Sequence, residues 1–450
     1  MDAKVNGNGN GNSSGNGNGN GATEKISRKF LFISWESLSG DLAWQVAREG
    51  NEVKCYIDRQ EDRDVYDGFL EKVDDWKAYK DWADVIVCDD TGFGKIADSL
   101  RREGKLVIGG SPYTDMLEED REFGQNEMKL AGMNILPHWD FTEFDAAIEH
   151  IKVNPGRYVF KPSGSILSDQ KGILFIGHEE DGKDIIEVLE HNKKTWGKRI
   201  KRFQLQKVAE GVEIAVGAFF NGNDFLYPIN VNFEHKKLFP GDIGPYTGEM
   251  GTLMFWSLPN NAFHVTLEKM RDKLRDSGYH GYIDINCIAN ARGIYPLEFT
   301  CRFGYPTISI QMEGITSPIG EVLYMMARGE PYDIKTKKGF QVGVIIAVPP
   351  FPYDDKREAA IYKDISILFK KPNLEGVHLG DVKLVDGDWH LAGDSGYALV
   401  VTGASNTVEE ARGQVYKRIK NVRLQNMFYR TDIGLKWYHE SDQLQTWGIL

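Results

Sequence analysis

Short apolar segments alternate with helical patterns between residues 29 and 110, and this alternation constrains the fold more than any other feature of the chain. The apolar segments are Lys29–Ser37, Glu52–Asp58, Asp84–Asp90 and Lys105–Gly110. A helical pattern with Leu42 and Val46 on one side follows the first segment, and a second helical pattern precedes the last. Strands that alternate with helices predict a parallel sheet. The first β–α turn has no GxGxxG pattern, so we do not expect a dinucleotide site there.

Size and composition favour a soluble globular protein of several domains. The 450 residues allow roughly three domains, and 41% of them are hydrophobic. The net charge of −12 argues against duplex DNA or an anionic membrane as the main partner. No apolar run approaches the roughly 20 residues that cross a bilayer, and the N-terminus has no apolar signal-peptide region.

Cysteine usage points to a reducing compartment. The chain has four cysteines with no CxxC pair, and no His/Cys cluster has zinc spacing. We therefore expect a cytoplasmic protein without a structural metal, as a monomer or homodimer. The Asn/Gly-rich stretch 6–21 has no apolar side chain to bury, so residues 1–27 are predicted to be a disordered tail.

The segment Gly156–Gly177 has the pattern of a phosphate-binding hairpin. Lys161 ends a predicted strand, a small-residue loop with Ser163 and Gly164 follows, and a second strand is predicted from near Gly172. An ammonium group beside such a loop suits a polyphosphate. An ordinary surface hairpin with a solvated lysine remains the alternative.

A second glycine-rich segment, Gly241–Gly251, reads GDIGPYTGEMG. It could be a surface loop, a set of tight turns that need positive φ, or a loop whose backbone approaches an anionic ligand.

Three oxygen-bearing side chains follow in the predicted hairpin with its turn at Asn290–Gly293. Asp284 and Asn286 are two residues apart and share a strand face, and the hairpin could bring that face opposite Glu298. Oxygen ligands suit Mg²⁺ beside nucleotide phosphates. The solvated face of a hairpin is the alternative.

The stretch from about residue 120 to 435 resembles ATP-grasp ligases, and more narrowly the phosphoribosylamine–glycine ligase family. GDIGPYTGEMG resembles the family's GDTGPNTGGMG-like element. The residues EHKK shortly before it correspond to the family's DHKR. The block from Gly278 to Pro306 resembles GYxG…LEFNxRFGDP. The region Gly376–Ile419 and the closing FYRTDIG resemble the family's C-terminal domain and its end.

The resemblance implies an α/β (α+β) ATP-grasp fold. It would place a Rossmann-like pre-ATP-grasp domain at 28–118, the ATP-grasp domain at 119–335 with a nucleotide-clamping subdomain at about 135–208, and a small C-terminal domain at 336–450. The implied activity is a ligase that joins a carboxylate and an amine, with ATP and Mg²⁺ (or Mn²⁺).

The resemblance also implies roles for individual residues. Lys161 would contact the α-phosphate and the adenine edge, Gln206, Lys207 and Val208 would form the adenine hinge, and Glu213 would bind ribose. Lys236 and Arg302 would face the transferred phosphate, and Glu298 would hold the metal with Asp284 or Asn286. The remaining predicted nucleotide-binding residues are Ser163, Gly164, Lys171, Gly248 and Arg121.

Departures from the family pattern leave the substrates open. The family's GxGGREH-like loop is replaced by ISWESLSGDLAW, and the Asn after LEF by Thr300. Tyr305 and Thr307 replace two acidic residues near the acceptor region, and Arg121 stands in place of a lysine that contacts ATP. We therefore expect a ligase with altered substrates. The alternatives are an orthodox phosphoribosylamine–glycine ligase of purine biosynthesis and an inactive nucleotide-binding or structural protein.

Overall fold

The N-terminal part of the chain forms the predicted parallel sheet. The computed structural model describes residues 27–163 and 173–450. Five parallel strands have the order β3-β2-β1-β4-β5: β1 Lys29–Ser34, β2 Glu52–Ile57, β3 Glu71–Lys72, β4 Val85–Cys88 and β5 Val107–Ile108. The connecting and flanking helices are α1 Gly40–Arg48, α2 Gly94–Arg102 and α3 Pro112–Glu119. Because β1 and β4 are buried along nearly their whole length, they appear in the sequence as continuous apolar runs.

A small antiparallel sheet with two helices forms the next unit. Helix α4 Arg121–Leu130 leads into it. Its strands have the order β6-β9-β7-β8: β6 His138–Phe141, β7 Tyr158–Ser163, β8 Phe175–Ile176 and β9 Arg202–Lys207. Helices α5 Phe144–Val153 and α6 Lys183–Trp196 cover one face, where aromatic and aliphatic side chains such as Phe160, Phe203 and Leu189 form a separate core. The opposite face of this sheet is free to form one wall of a cleft.

The largest sheet joins the middle of the chain to its C-terminal part. Eight strands have the order β16-β15-β10-β11-β14-β17-β22-β19. They are β10 Val212–Asn221, β11 Phe225–Glu234, β14 Gly251–Ser257, β15 His280–Asn290, β16 Gly293–Thr300, β17 Phe340–Ala347, β19 Val377–Leu379 and β22 Tyr397–Ser405. The turn predicted at Asn290–Gly293 connects β15 and β16. Because β14 pairs with β17, the sheet continues across the domain boundary predicted at 335/336.

Smaller elements complete the fold around this sheet. Strands β12 Lys237–Phe239 and β13 Ile243–Tyr246 form a hairpin, and β18 Ser366–Phe369, β20 Val382–Val385, β21 Asp388–Leu391 and β23 Val422–Arg423 form a four-stranded sheet. The remaining helices are α7 Asn261–Val265, α8 Arg271–Asp276, α9 Thr307–Gly314, α10 Ile319–Ala327, α11 Lys356–Tyr362, α12 Val408–Ile419 and α13 Trp437–Thr446. In the part of the chain that the structure describes, no helix has the length and apolar character needed to cross a membrane.

Candidate nucleotide and metal site

A cavity of about 430 Å³ lies between the small sheet and the eight-stranded sheet. Strands β7, β8 and β9 contribute one wall, and β10, β15 and β16 contribute the other. Most of the residues predicted to bind a nucleotide or phosphate line this cavity: Arg121, Lys161, Gln206, Lys207, Val208, Glu213, Lys236, Gly248 and Glu298. Tertiary packing therefore gathers positions that are up to 177 residues apart in the chain, from Arg121 to Glu298.

The cavity has an aliphatic part and a charged part. The aliphatic lining comes from both sheets: Leu136, Val159, Leu174, Ile176, Ile288 and Leu297. These residues were not predicted from the sequence, since a lone Leu or Ile in a strand looks the same whether it faces a core or a ligand. Apolar side chains on two facing sheets suit a flat aromatic base, and the charged part suits phosphates.

Lys161 lies at the centre of the charged part. Its Nζ donates to Oε1 of Gln206 over 2.7 Å. Burial, reinforced by the nearby charge of Arg121, lowers the pKa of Lys161 to about 7. The lysine is therefore poised to become fully charged when an anion enters the cavity.

Lys236 is the second cation of the site and is held by acidic neighbours. Its Nζ lies 2.8 Å from Glu213, 3.4 Å from Glu234 and 3.9 Å from Glu298. It also donates to Oδ1 of Asn286 over 3.3 Å. Burial opposes the charged form, but these carboxylates outweigh it and hold the pKa of Lys236 well above its usual range. Lys236 thus stays cationic at any physiological pH.

The predicted metal ligands lie on neighbouring strands at different depths. Asn286 stands directly opposite Glu298, and Asp284 stands opposite Thr300 two pairs further along. Glu298 lines the cavity and lies 3.5 Å from Arg121. Asp284 is 3% exposed and is not among the lining residues, and burial together with Glu234 raises its pKa well above the usual range.

Glu298 is therefore the predicted metal ligand that lines the cavity, and Asn286 lies directly across from it on β15. In the described ranges 27–163 and 173–450, no three His, Cys, Asp or Glu side chains form a ready-made metal cage. Magnesium at nucleotide sites takes one or two carboxylates and completes its shell with phosphate oxygens and water, so this donor set fits it.

Other predicted residues lie away from the cavity or outside the described part of the chain. Arg302 does not line the cavity, and its Nε lies 2.9 Å from Asp90 and 3.2 Å from Glu118. Ser163 is the last residue of β7. Gly164 and Lys171 lie outside the described residues.

The glycines of the segment Gly241–Gly251 serve two purposes: some form turns or close strand contacts, and one lines the cavity. Gly241 and Gly244 have φ of 78° and 87°, which side chains rarely adopt, and they shape the β12–β13 hairpin. A Cβ on Gly251 would lie 2.5 Å from the carbonyl oxygen of Gly343, so β14 needs glycine where it meets β17. Gly248, between these turns and β14, lines the cavity.

Arg430 anchors this hairpin and was not predicted as a site residue. It is fully buried, and its guanidinium donates to both carboxylate oxygens of Asp432, to Asp242 and to the carbonyl of Lys237. Asp432 in turn accepts a hydrogen bond from the Gly241 backbone. Arg430 lies in the FYRTDIG motif, and this motif is the sequence feature that could have predicted its role.

Comparison with solved structures identifies the class of the protein. The phosphoribosylamine–glycine ligase of Thermotoga maritima matches with a TM-score of 0.68 and 23% identity, over 90% of this chain and all of that one. The biotin carboxylase of Campylobacter jejuni matches with a TM-score of 0.58 and 13% identity, over 93% of this chain and 96% of that one. The shared fold confirms the predicted fold class. Because residues 119–308 match an ATP-grasp domain, the protein is an ATP-grasp ligase.

Family models and curated relatives narrow this class to one family. Residues 119–308 match the ATP-grasp (A) domain of phosphoribosylglycinamide synthetase, and residues 341–436 match its C domain. The two ranges together take in more than half of the chain. The phosphoribosylamine–glycine ligase of Streptococcus pneumoniae is 26% identical over 357 residues, which cover 77% of this chain and 82% of the relative. The chain belongs to the phosphoribosylglycinamide synthetase family as a diverged member.

Proposed function

We propose that the protein is an ATP-dependent carboxylate–amine ligase that works through an acyl phosphate. The observation that carries this proposal is the single cavity in which Lys161, Lys236 and Glu298 lie beside a two-sided aliphatic lining. The base of ATP would lie between the aliphatic side chains, against Gln206, Lys207 and Val208. Glu213, whose carboxylate lies 2.8 Å from Nζ of Lys236, would bind the ribose hydroxyls.

Asn286 and Glu298 would hold a Mg²⁺ or Mn²⁺ ion. They stand opposite each other on adjacent strands and offer one amide oxygen and one carboxylate to a cation that also binds phosphates. When bound, the ion would neutralise phosphate charge. Asp284, two residues from Asn286 on the same face of β15, is the alternative second ligand.

The chain's own side chains supply the remaining charge neutralisation. A carboxylate of the first substrate attacks the γ-phosphorus, and ADP leaves. Lys161 and Lys236 would stabilise the negative charge on the phosphate oxygens during this step. An amine then attacks the acyl carbon, and inorganic phosphate leaves as the amine loses a proton. The protein's main contribution is to position these charged partners.

We also propose that the acceptor side differs from that of an orthodox phosphoribosylamine–glycine ligase. Arg302 is already paired with Asp90 and Glu118, and the hydroxyl of Tyr305 donates to the carbonyl of Asp89 over 3.1 Å. Asp89 is fully buried, and one of its carboxylate oxygens has no partner among the described residues. Two carboxylates, Asp90 and Glu118, surround the single cation Arg302, so a phosphorylated amine close to them would be disfavoured by its own negative charge.

Asp41, in the segment that replaces the family's glycine loop, does not contribute to this repulsion. Its carboxylate pairs with His378 at 2.7 Å and accepts hydrogen bonds from Ser309 and from the backbone of Leu379. It therefore joins α1 to the C-terminal part of the chain. Asp90 and Glu118 are instead the carboxylates that would disfavour a phosphorylated amine.

An ADP-release screen of carboxylate and amine pairs, including glycine with phosphoribosylamine, tests the proposal. Turnover with some other pair, and a weak rate with glycine and phosphoribosylamine, is expected. A kcat/KM of roughly 10⁴ M⁻¹s⁻¹ or more with glycine and phosphoribosylamine would restore the orthodox assignment, which the curated relatives favour. Tight ATP binding without turnover of any pair would favour an inactive nucleotide-binding protein.

We also propose that the protein is cytoplasmic. All four cysteines are buried and unpaired, which suits the reducing cytoplasm. Small-molecule carboxylates and amines are the partners expected there.

A further inference from the structure

Two side-chain cations already contact the oxygen atoms that are proposed to bind the metal. Nζ of Lys236 lies 3.3 Å from Oδ1 of Asn286 and 3.9 Å from Oε1 of Glu298. The second carboxylate oxygen of Glu298, Oε2, lies 3.5 Å from Nη1 of Arg121. A divalent cation that approached these oxygens would therefore meet two positive charges.

The two cations are held to different degrees. Lys236 lies 2.8 Å from Glu213 and 3.4 Å from Glu234, in addition to its contact with Glu298. Arg121 has one carboxylate within 4 Å among the described residues, that of Glu298. Lys236 can therefore keep its place when Glu298 binds a metal, whereas Arg121 would lose its partner and need another anion.

The position of Arg121 in its helix shows why it depends on such a partner. Arg121 is the first residue of α4, and the positive end of the helix dipole disfavours a cation there. Glu298 on the facing strand β16 stabilises the charge instead. Arg121 lines the cavity, and 17% of its side chain is exposed, so a phosphate in the cavity can contact it. A guanidinium binds phosphate oxygens through two parallel hydrogen bonds.

We propose that Arg121 and Lys236 prevent free Mg²⁺ or Mn²⁺ from binding, so that the metal enters only with the nucleotide while Arg121 moves from Glu298 to a phosphate. This inference rests on the proposed function. A free metal ion would have to displace Arg121 from Glu298 against the repulsion of both cations. A nucleoside triphosphate brings the negative charge that neutralises them and gives Arg121 a new partner.

The experiment measures the binding of Mn²⁺ to the full chain without nucleotide, from the electron paramagnetic resonance signal of the free ion. For the wild-type protein we expect a dissociation constant above about 1 mM. Arg121→Gln removes one of the two charges and releases Glu298, so Mn²⁺ should bind at least about tenfold more tightly. This gain should disappear in the double variant Arg121→Gln/Glu298→Gln. The double variant also measures any Mn²⁺ held elsewhere on a chain with a net charge of −12.

Arg292 provides a matched control. It lies in the turn between β15 and β16, is exposed and does not line the cavity. Arg292→Gln changes the net charge by the same amount and should leave Mn²⁺ binding within about twofold of the wild type. Arg121→Met, which keeps the aliphatic stem of the side chain, gives the same reading if Arg121→Gln does not fold.

A titration of the wild-type protein with ATP in the presence of Mn²⁺ separates this inference from the proposed function. If ATP binds but the variants at Arg121 bind Mn²⁺ no more tightly than the wild type, the inference is overturned and the ATP site stands. A gain of equal size in Arg292→Gln, or one that persists without the carboxylate of Glu298, would also overturn it. Absence of ATP binding would overturn the proposed function and the inference with it.

Discussion

The pH dependence of ATP binding tests the role of Lys161 directly. Burial and the charge of Arg121 lower the pKa of Lys161 to about 7 in the nucleotide-free protein, whereas a bound phosphate stabilises the ammonium and raises the pKa again. The protonated lysine is the form that binds phosphate. As the pH rises through 7, a growing share of the free protein must take up a proton before it binds, so the affinity for ATP should fall.

The size of the effect follows from the protonated fraction of Lys161. With a pKa of about 7, that fraction falls from about 0.8 at pH 6.5 to about 0.03 at pH 8.5, which predicts a roughly 25-fold loss of affinity, or about 1.9 kcal/mol. A lysine with its ordinary pKa of about 10.4 would stay charged over this range and cause almost no change.

Titration calorimetry at pH 6.5, 7.5 and 8.5, in buffers of different ionisation enthalpy, gives both affinity and proton uptake. We expect uptake of close to one proton per ATP at pH 8.5. Lys161→Arg keeps the positive charge at every pH and reports the titration of ATP itself, which is subtracted. A wild-type profile that matches Lys161→Arg would refute the reasoning, because Lys161 would then be either fully charged in the free protein or not in contact with phosphate.

Two further substitutions test the metal ligand and the anchor of the glycine-rich segment. Glu298→Gln should lower ligase turnover at least about 100-fold at saturating Mg²⁺ while leaving the melting temperature unchanged, and near-wild-type turnover would remove Glu298 from the metal site. Arg430→Met leaves the carboxylates of Asp242 and Asp432 without their buried partner and should cost about 2–4 kcal/mol in chemical denaturation, with weaker ATP binding. The exposed Arg423→Met is its charge-matched control, and equal stability losses in the two variants would contradict the anchoring role.

The register of β15 and β16 decides which face Glu298 occupies, and the sequence could not predict it. The sequence predicted the β15–β16 hairpin because apolar strands flank a turn at Asn290–Gly293. Continued without interruption from that turn, the pairing would place Glu298 opposite Ile285, on the core face. A register shift between Asn286 and Cys287 moves Glu298 opposite Asn286, onto the cavity face. One extra residue in a strand reverses the face of every side chain beyond it, and local sequence gives no signal for where this occurs.

The sequence by itself determined those features that depend on local periodicity and on motifs. Continuous apolar runs separated by helical patterns specified the parallel N-terminal sheet, and GDIGPYTGEMG with the LEF block specified the family. Lys161 and Glu298 could be singled out from charged side chains beside a small-residue loop and in a hairpin, whereas Gln206 was singled out only through the resemblance to the family.

Only the tertiary structure decided how these groups act together. The aliphatic walls come from two sheets that meet across the cavity, and Arg430 reaches a carbonyl 193 residues earlier in the chain. Contacts between distant segments depend on how whole sheets pack, and that packing also sets the partners that lower the pKa of Lys161 and occupy Arg302.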